Sequence, residues 1–302
     1  MATRDPRTAP TLTEMMRRRA SLSPDAQYFN VFDETVTYGR LWERSARYAA
    51  GLAAAGVQRG EHVCLIFPTC AEFFYTFFGC LRLGAVPVPL YPTLGVEATG
   101  AIFKDAEAVA VATIGWFRPG VEASAAVAPS VRAILEPPDL ESEAVAPPEA
   151  EPTPNDLAFI QYTSGSTGQP RGVMLTHENV VSTILFMAEG AGLTPDDRVV
   201  SWLPLYHDMG LIGCSFTPPL TGAPLWLLPP DLRNPRTWLE LITRVCGQPS
   251  RCRPTSAIAT ACATCATPRT SISRASRRRS RVPSPCAPPP SRLSRATSGS
   301  ST

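Results

Sequence analysis

The chain has 302 residues, 44% hydrophobic and 18% charged, which is ample for about two domains and typical of a soluble globular protein rather than a fibrous or unfolded one. Its formal net charge of +2 joins two unlike parts: residues 1–250 hold 18 Lys and Arg against all 26 Asp and Glu, whereas residues 251–302 hold ten Arg and no acid.

Residues 1–20 are polar, include Arg17-Arg18-Arg19 and have no apolar stretch behind them, so they read as a flexible N-terminus without a secretory signal. Residues 26–32 and 35–38 read as two short strands about a turn at Asp33-Glu34. Thr37 is placed to cap a helix running to Gly56, with Leu41, Tyr48, Ala49 and Leu52 along one face. After Gly60 come a buried strand at 63–67, an apolar helix at 69–83 closed by Gly84, and a strand at 85–90. Within that helix Phe73, Phe74, Phe77 and Phe78 have the spacing of a buried face and read as core rather than as a ligand tunnel. The most apolar stretch, 73–91, is interrupted by Arg82, Pro87 and Pro89 and is not expected to span a membrane. A helix at 95–105 and strands at 109–113 and 131–135 repeat the rhythm, which argues for an α/β protein with a largely parallel sheet. Nine scattered cysteines in a chain without a secretory signal are expected to be reduced thiols, consistent with a cytoplasmic location.

Residues 136–155 interleave six prolines with Asp139, Glu141, Glu143, Glu149 and Glu151 and read as an exposed linker or surface excursion. Beyond it the rhythm resumes: strands at 157–163, 198–203 and 225–228, helices at 180–188 and 208–220, and a helix capped by Asn234 with Pro235 at its first position. Two sheet-and-helix subdomains joined through the linker are expected.

Chemistry concentrates in Tyr162-Thr163-Ser164-Gly165-Ser166-Thr167-Gly168-Gln169-Pro170-Arg171-Gly172, directly after a buried strand. Phosphates are held by closely approaching backbone N–H groups, small hydroxyls and a cation. The glycines permit the approach, Thr163, Ser164, Ser166 and Thr167 supply hydroxyls, and Arg171 supplies a fixed charge. The spacing is neither that of a Walker A loop nor GxGxxG. A Gly/Ser surface turn is the competing reading, and the combination of four hydroxyls, three glycines and an arginine argues against it.

Thr163 to Gly172, followed by Val173-Met174-Leu175-Thr176-His177, resembles the signature of the adenylate-forming superfamily, which includes acyl-CoA synthetases, peptide-synthetase adenylation domains and luciferases. The run Ser201-Trp202-Leu203-Pro204-Leu205-Tyr206-His207-Asp208-Met209-Gly210-Leu211-Ile212-Gly213 resembles the fatty acyl-AMP ligases in particular. The resemblance covers roughly residues 20–250 and departs at Arg171, where the family loop more often has Lys; a point cation becomes a planar fork. It implies an incomplete N-terminal domain of an adenylate-forming enzyme over 21–250. It also implies activation of a fatty acid with ATP and Mg²⁺ to acyl-AMP, then transfer to a carrier-protein phosphopantetheine. A fatty acyl-CoA ligase, with CoA as acceptor, and a non-catalytic remnant with a basic anion-binding tail are the alternatives. The resemblance places Thr163, Ser164, Gly165, Ser166, Thr167, Gly168 and Arg171 at the nucleotide phosphates and His207 by the acyl-adenylate pocket, and assigns no residue to the metal. Asp208 competes as a helix cap, and His177 reads as opening a helix after Thr176 rather than as a base. The family's catalytic lysine is expected beyond residue 302, because the one lysine here, Lys104, lies in the wrong region; activity is therefore expected to be impaired.

Of the 52 residues from Arg251 to Thr302, 43 are Arg, Ser, Pro, Thr or Ala, too few apolar groups to build a core. A disordered basic tail is expected, read as out-of-frame translation of GC-rich DNA rather than as a nucleic-acid or membrane arm or a Cys262–Cys265 metal site; no nucleic-acid partner is expected. Sequencing the gene through codons 245–255 is the check, and an intact frame there would dismiss the idea.

Overall fold

The computed structural model describes residues 5–143, 149–163, 170–230, 235–246 and 252–254. Asp5 caps a short 3-10 turn at Pro6–Thr8, and Thr11 caps α1, Leu12–Leu22, by accepting the Glu14 N–H at 3.2 Å. The expected flexible N-terminus is therefore corrected from Asp5 onward. Leu12, Met15, Met16 and Ala20 form a buried stripe, and Arg19 is buried with them, its guanidinium donating to the carbonyls of Pro219 at 2.6 Å and Leu220 at 2.9 Å. The run of three arginines looks solvated in sequence, yet its last member satisfies carbonyls far along the chain.

The antiparallel hairpin β1 (Gln27–Val31) and β2 (Glu34–Thr37) leads into α2 (Tyr38–Ala54), capped by Thr37 as expected. The strands β3 (His62–Ile66), β4 (Val86–Pro89), β5 (Ala110–Thr113) and β6 (Ala133–Leu135) form an all-parallel sheet in the order β4-β3-β5-β6. Between its strands run α3 (Ala71–Leu83), α4 (Val96–Asp105) and α5 (Arg118–Ala125). Helix α3 is covered on all sides: Phe74 packs on Tyr28 and Phe29, while Phe77 and Phe78 meet Phe216. Its four phenylalanines are core.

The stretch expected to be an exposed linker or surface excursion lies at the surface and is tied down at a few points, Leu140 alone being buried among its described residues. Glu136 and Asp139 form a capping box on α6 (Pro137–Leu140), which buries Leu140 against Gly51 of α2, where a Cβ would collide with the Leu140 backbone. Arg44 holds Glu141 at 2.7 Å, and Arg82 pairs with Glu149. Buried or half-buried arginines thus recruit the acidic residues that make this segment look solvated. Residues 144–148 lie outside the described residues.

After it come β7 (Leu157–Thr163), β8 (Arg171–Thr176), α7 (His177–Ala191), β9 (Arg198–Ser201), a π-helix at Met209–Phe216, α8 (Pro218–Thr221), β10 (Leu225–Leu227), α9 (Pro235–Cys246) and β11 (Cys252–Pro254). Strands β7 and β8 pair as an antiparallel hairpin, and β7 lies against β4. The second large sheet runs β11-β9-β10-β1-β2. Its central junction is the parallel pair β1–β10, Phe29 opposite Leu225. The two expected sheets are present, but the chain does not divide between them at 136–155: the N-terminal hairpin completes the sheet made by the later strands. Strand β11 pairs parallel to β9; residues 255–302, with the rest of the tail, lie outside the described residues.

Candidate active site

Strand β7 carries the hydroxyl- and glycine-rich segment at its C-terminal end. Phe159 is buried on one face of it, while Ile160 and Tyr162 on the other join the apolar cluster beneath β3, β4 and β5. Tyr162 donates to Asp105 at 2.5 Å, and burial raises its hydroxyl pKa first, the neighbouring carboxylate second. Opposite, Gly172 pairs with Tyr162 in register, and a Cβ there would stand 3.0 Å from Ile160 Cγ2 and 3.1 Å from Tyr162 Cζ, so glycine lets the two strands close at the stem. Thr163 pairs with Arg171, and both are exposed. Ser164, Gly165, Ser166, Thr167 and Gly168 lie outside the described residues. Strand β8, unexpected from sequence, is exposed from Arg171 to Met174.

The second half of the site is the turn before the π-helix. A Cβ on Gly210 would collide with the Pro204 carbonyl, so this position must be glycine for the chain to fold back on itself. The helix expected over 208–220 divides into the π-helix and α8. Ser215 and Thr217 donate to carbonyls five residues back, Gly210 at 2.8 Å and Ile212 at 3.0 Å, and Pro218 and Pro219 interrupt the backbone ladder. Asp208 caps the π-helix, accepting the Met209 N–H at 2.6 Å. His207 Nδ1 lies 2.6 Å from Asp208 Oδ1 and 3.4 Å from the Met209 nitrogen. One ring nitrogen cannot donate to the first and accept from the second. The shorter contact, to a carboxylate, is the one that places a proton on Nδ1. The imidazole is 64% exposed and free to meet a ligand.

Thr163 and His207 open onto one cleft of about 470 Å³, whose walls include Val173, Leu175, Met187 and Ile212 as an apolar side and Gln161, Thr183, Tyr206 and Asp208 as polar points. Arg171 is not among its walls. Gln161, missed in the sequence reading, is buried and donates to the Tyr206 carbonyl at 3.0 Å. An amide inside an apolar strand was the available signal, since a buried amide needs a partner. An apolar wall beside hydroxyl donors and an imidazole suits a ligand with a hydrocarbon part and a charged head.

His177 stands elsewhere. Thr176 and Asn179 form a capping box around it at the start of α7, as the helix-opening reading expects, and its buried Nδ1 accepts the Leu12 N–H at 3.2 Å. Burial lowers its pKa to about 4, against a smaller opposing pull from Asp156. His62 contacts the Ala106 carbonyl at 2.6 Å. Among the described residues no three His, Cys, Asp or Glu side chains gather to hold a metal, and no helix is long and apolar enough to cross a membrane.

The family model of the AMP-binding enzymes matches residues 16–261. The chain belongs to that family. It is 33% identical over 259 residues to the long-chain-fatty-acid–AMP ligase FadD26 of Mycobacterium marinum, covering 78% of this chain and 44% of that protein. With the long-chain-fatty-acid–CoA ligase FadD13 of Mycobacterium tuberculosis it shares 31% identity over 249 residues, 77% of this chain and 48% of the relative. The crystal structure of a fatty acyl-adenylate ligase from L. pneumophila in complex with acyl adenylate and pyrophosphate superposes with a TM-score of 0.70 at 30% identity, covering 79% of this chain and 43% of that one. The chain thus spans about half the length of the relatives it matches. Its mixed α/β architecture is that of the N-terminal domain of adenylate-forming ligases.

Proposed function

We propose that the cleft between Thr163 and His207 is the acyl-adenylate site of a fatty acid-activating ligase. A fatty carboxylate attacks the α-phosphorus of ATP, pyrophosphate leaves, and the acyl group then passes from AMP to a carrier-protein phosphopantetheine. The observation that carries this reading is the single cleft onto which the end of β7 and the His207 turn both open, apolar on one side and polar on the other. Catalysis of such a step is chiefly positioning and charge stabilisation.

In this reading Thr163 to Gly168 hold the β- and γ-phosphates, with Arg171 at the base of the hairpin, and His207 lies beside the carboxylate as part of the pocket wall. Val173, Leu175, Met187 and Ile212 receive the start of the acyl chain. No three His, Cys, Asp or Glu side chains gather among the described residues, and Mg²⁺ would be carried with the ATP phosphates. CoA as acceptor is the second reading, favoured by the likeness to a fatty acid–CoA ligase. A soluble cytoplasmic setting fits either acceptor.

The sole lysine, Lys104, lies at the end of α4 and is not among the cleft's walls, so the lysine that the family's chemistry calls for has no counterpart there. We expect the 302-residue chain to bind a non-hydrolysable acyl-adenylate mimic yet to give little ATP–pyrophosphate exchange with a panel of fatty acids. Absence of mimic binding would dismiss the site; robust exchange would dismiss the impairment.

A further inference from the structure

We infer that Gln161 is a positioning residue for this reaction, its side-chain amide setting where the His207 turn stands relative to the phosphate-binding end of β7. The inference rests on the acyl-adenylate reading of the cleft. Gln161 lies two residues before Thr163, on the same face of the strand as Phe159, and is only 5% exposed. An apolar residue would fill such a place without penalty, whereas a buried amide is costly unless its hydrogen bonds are met. Its Nε2 donates to the carbonyl of Tyr206, the residue before His207, at 3.0 Å. That turn is closed internally by the His207 N–H donating to Pro204 O at 3.2 Å and the Leu211 N–H donating to His207 O at 2.9 Å. Those bonds hold the turn's residues to one another, and Gln161 ties the turn to β7. The Tyr206 ring packs edge-on against Tyr91 with centroids 4.7 Å apart, which steadies the turn from its other side.

On the opposite face of β7, the Tyr162 hydroxyl is held by Asp105 at 2.5 Å. The last residues of the strand are thus anchored on both faces immediately before the segment assigned to phosphate. The Asp105 bond fixes β7 to the parallel-sheet side, and the Gln161 bond carries that position across to His207. Proximity catalysis depends on such a link, because a displacement of about 1 Å between reacting groups can cost two orders of magnitude in rate.

The test uses the whole chain, which has three histidines and hence few ring signals to assign. In the ligand-free ¹⁵N-labelled protein, Gln161→Met should shift the ring resonances of His207 and leave those of His62 and His177 in place, with cooperative melting retained. In the same variant the Kd of a dodecanoyl-adenylate sulfamate mimic should rise about tenfold through the misplaced His207 turn, within the two orders of magnitude that a shift of about 1 Å can cost, while AMP binding changes little. Gln161→Leu, close in size and without the donor, should reproduce both effects. Unmoved His207 resonances, or loss of fold in both variants, would overturn the inference. Shifted His207 resonances in a protein whose wild type does not bind the mimic would leave the contact standing and remove the acyl-adenylate reading instead.

Discussion

His177 and His207 have opposite surroundings, and their chemistry follows. Burial lowers the pKa of His177 to about 4 from 6.5, so the unfolded chain binds a proton that the folded one refuses between those values. The contribution to stability is unaffected above pH 6.5, declines as the pH falls, and levels off below about 4, for a total on the order of 3 kcal/mol. Urea midpoints should drop over that interval, and His177→Asn, which keeps an acceptor for the Leu12 N–H, should flatten the pH dependence while lowering stability at pH 7.5 through the lost ring volume. His207 is 64% exposed and its imidazole supports no packing. His207→Ala should leave the melting temperature within a few degrees of wild type and weaken the acyl-adenylate mimic about tenfold by titration calorimetry. The roles of these two histidines were legible only in part. The motif around His207 leads a sequence reading to propose it as a site residue, but its contact with Asp208 is a matter of local geometry, and the burial of His177 depends on α1 arriving from far away in the chain.

Elements defined by local chemistry emerge where the sequence places them. Thr37 caps α2, Thr176 caps α7, and Gly84 ends α3 in the left-handed region at φ 80°, each a short-range consequence of side-chain hydrogen bonding or of the missing Cβ. Strand β8 was not legible because Arg171, Gly172, Val173 and Met174 are all exposed and show no inside–outside alternation; its strand character comes from pairing with β7. The π-helix was read as an ordinary helix, since five-residue spacing of Ser215 and Thr217 to their acceptors leaves no distinct apolar period. Gly210→Ala should force the Pro204–Gly210 turn apart and destabilise the fold by roughly 2 kcal/mol in denaturant melts, with parallel loss of mimic binding because His207 sits within the displaced segment. Thr176→Ala, by contrast, should cost about 1 kcal/mol through the lost cap and leave the cleft intact.

At the scale of the molecule, α1 and the β1–β2 hairpin decide the architecture. Arg19 supplies donors to Pro219 and Leu220 from inside the core, and its pKa is lowered by burial, with Tyr38 as the largest opposing influence. Arg19→Met would leave two carbonyls without their donors and should lower stability by roughly 2–4 kcal/mol, read as a shift in the urea midpoint. The α/β rhythm, the helix caps and the hydroxyl- and glycine-rich composition after β7 belong to the sequence by itself, because periodicity, capping and residue composition are set over a few residues. Tertiary structure alone decided that β1 pairs with β10, that the acidic segment after β6 docks on arginines of α2 and α3, and that Gln161 reaches Tyr206. Those contacts join residues tens to hundreds of positions apart, and burial and hydrogen-bond satisfaction select among partners that local sequence does not distinguish.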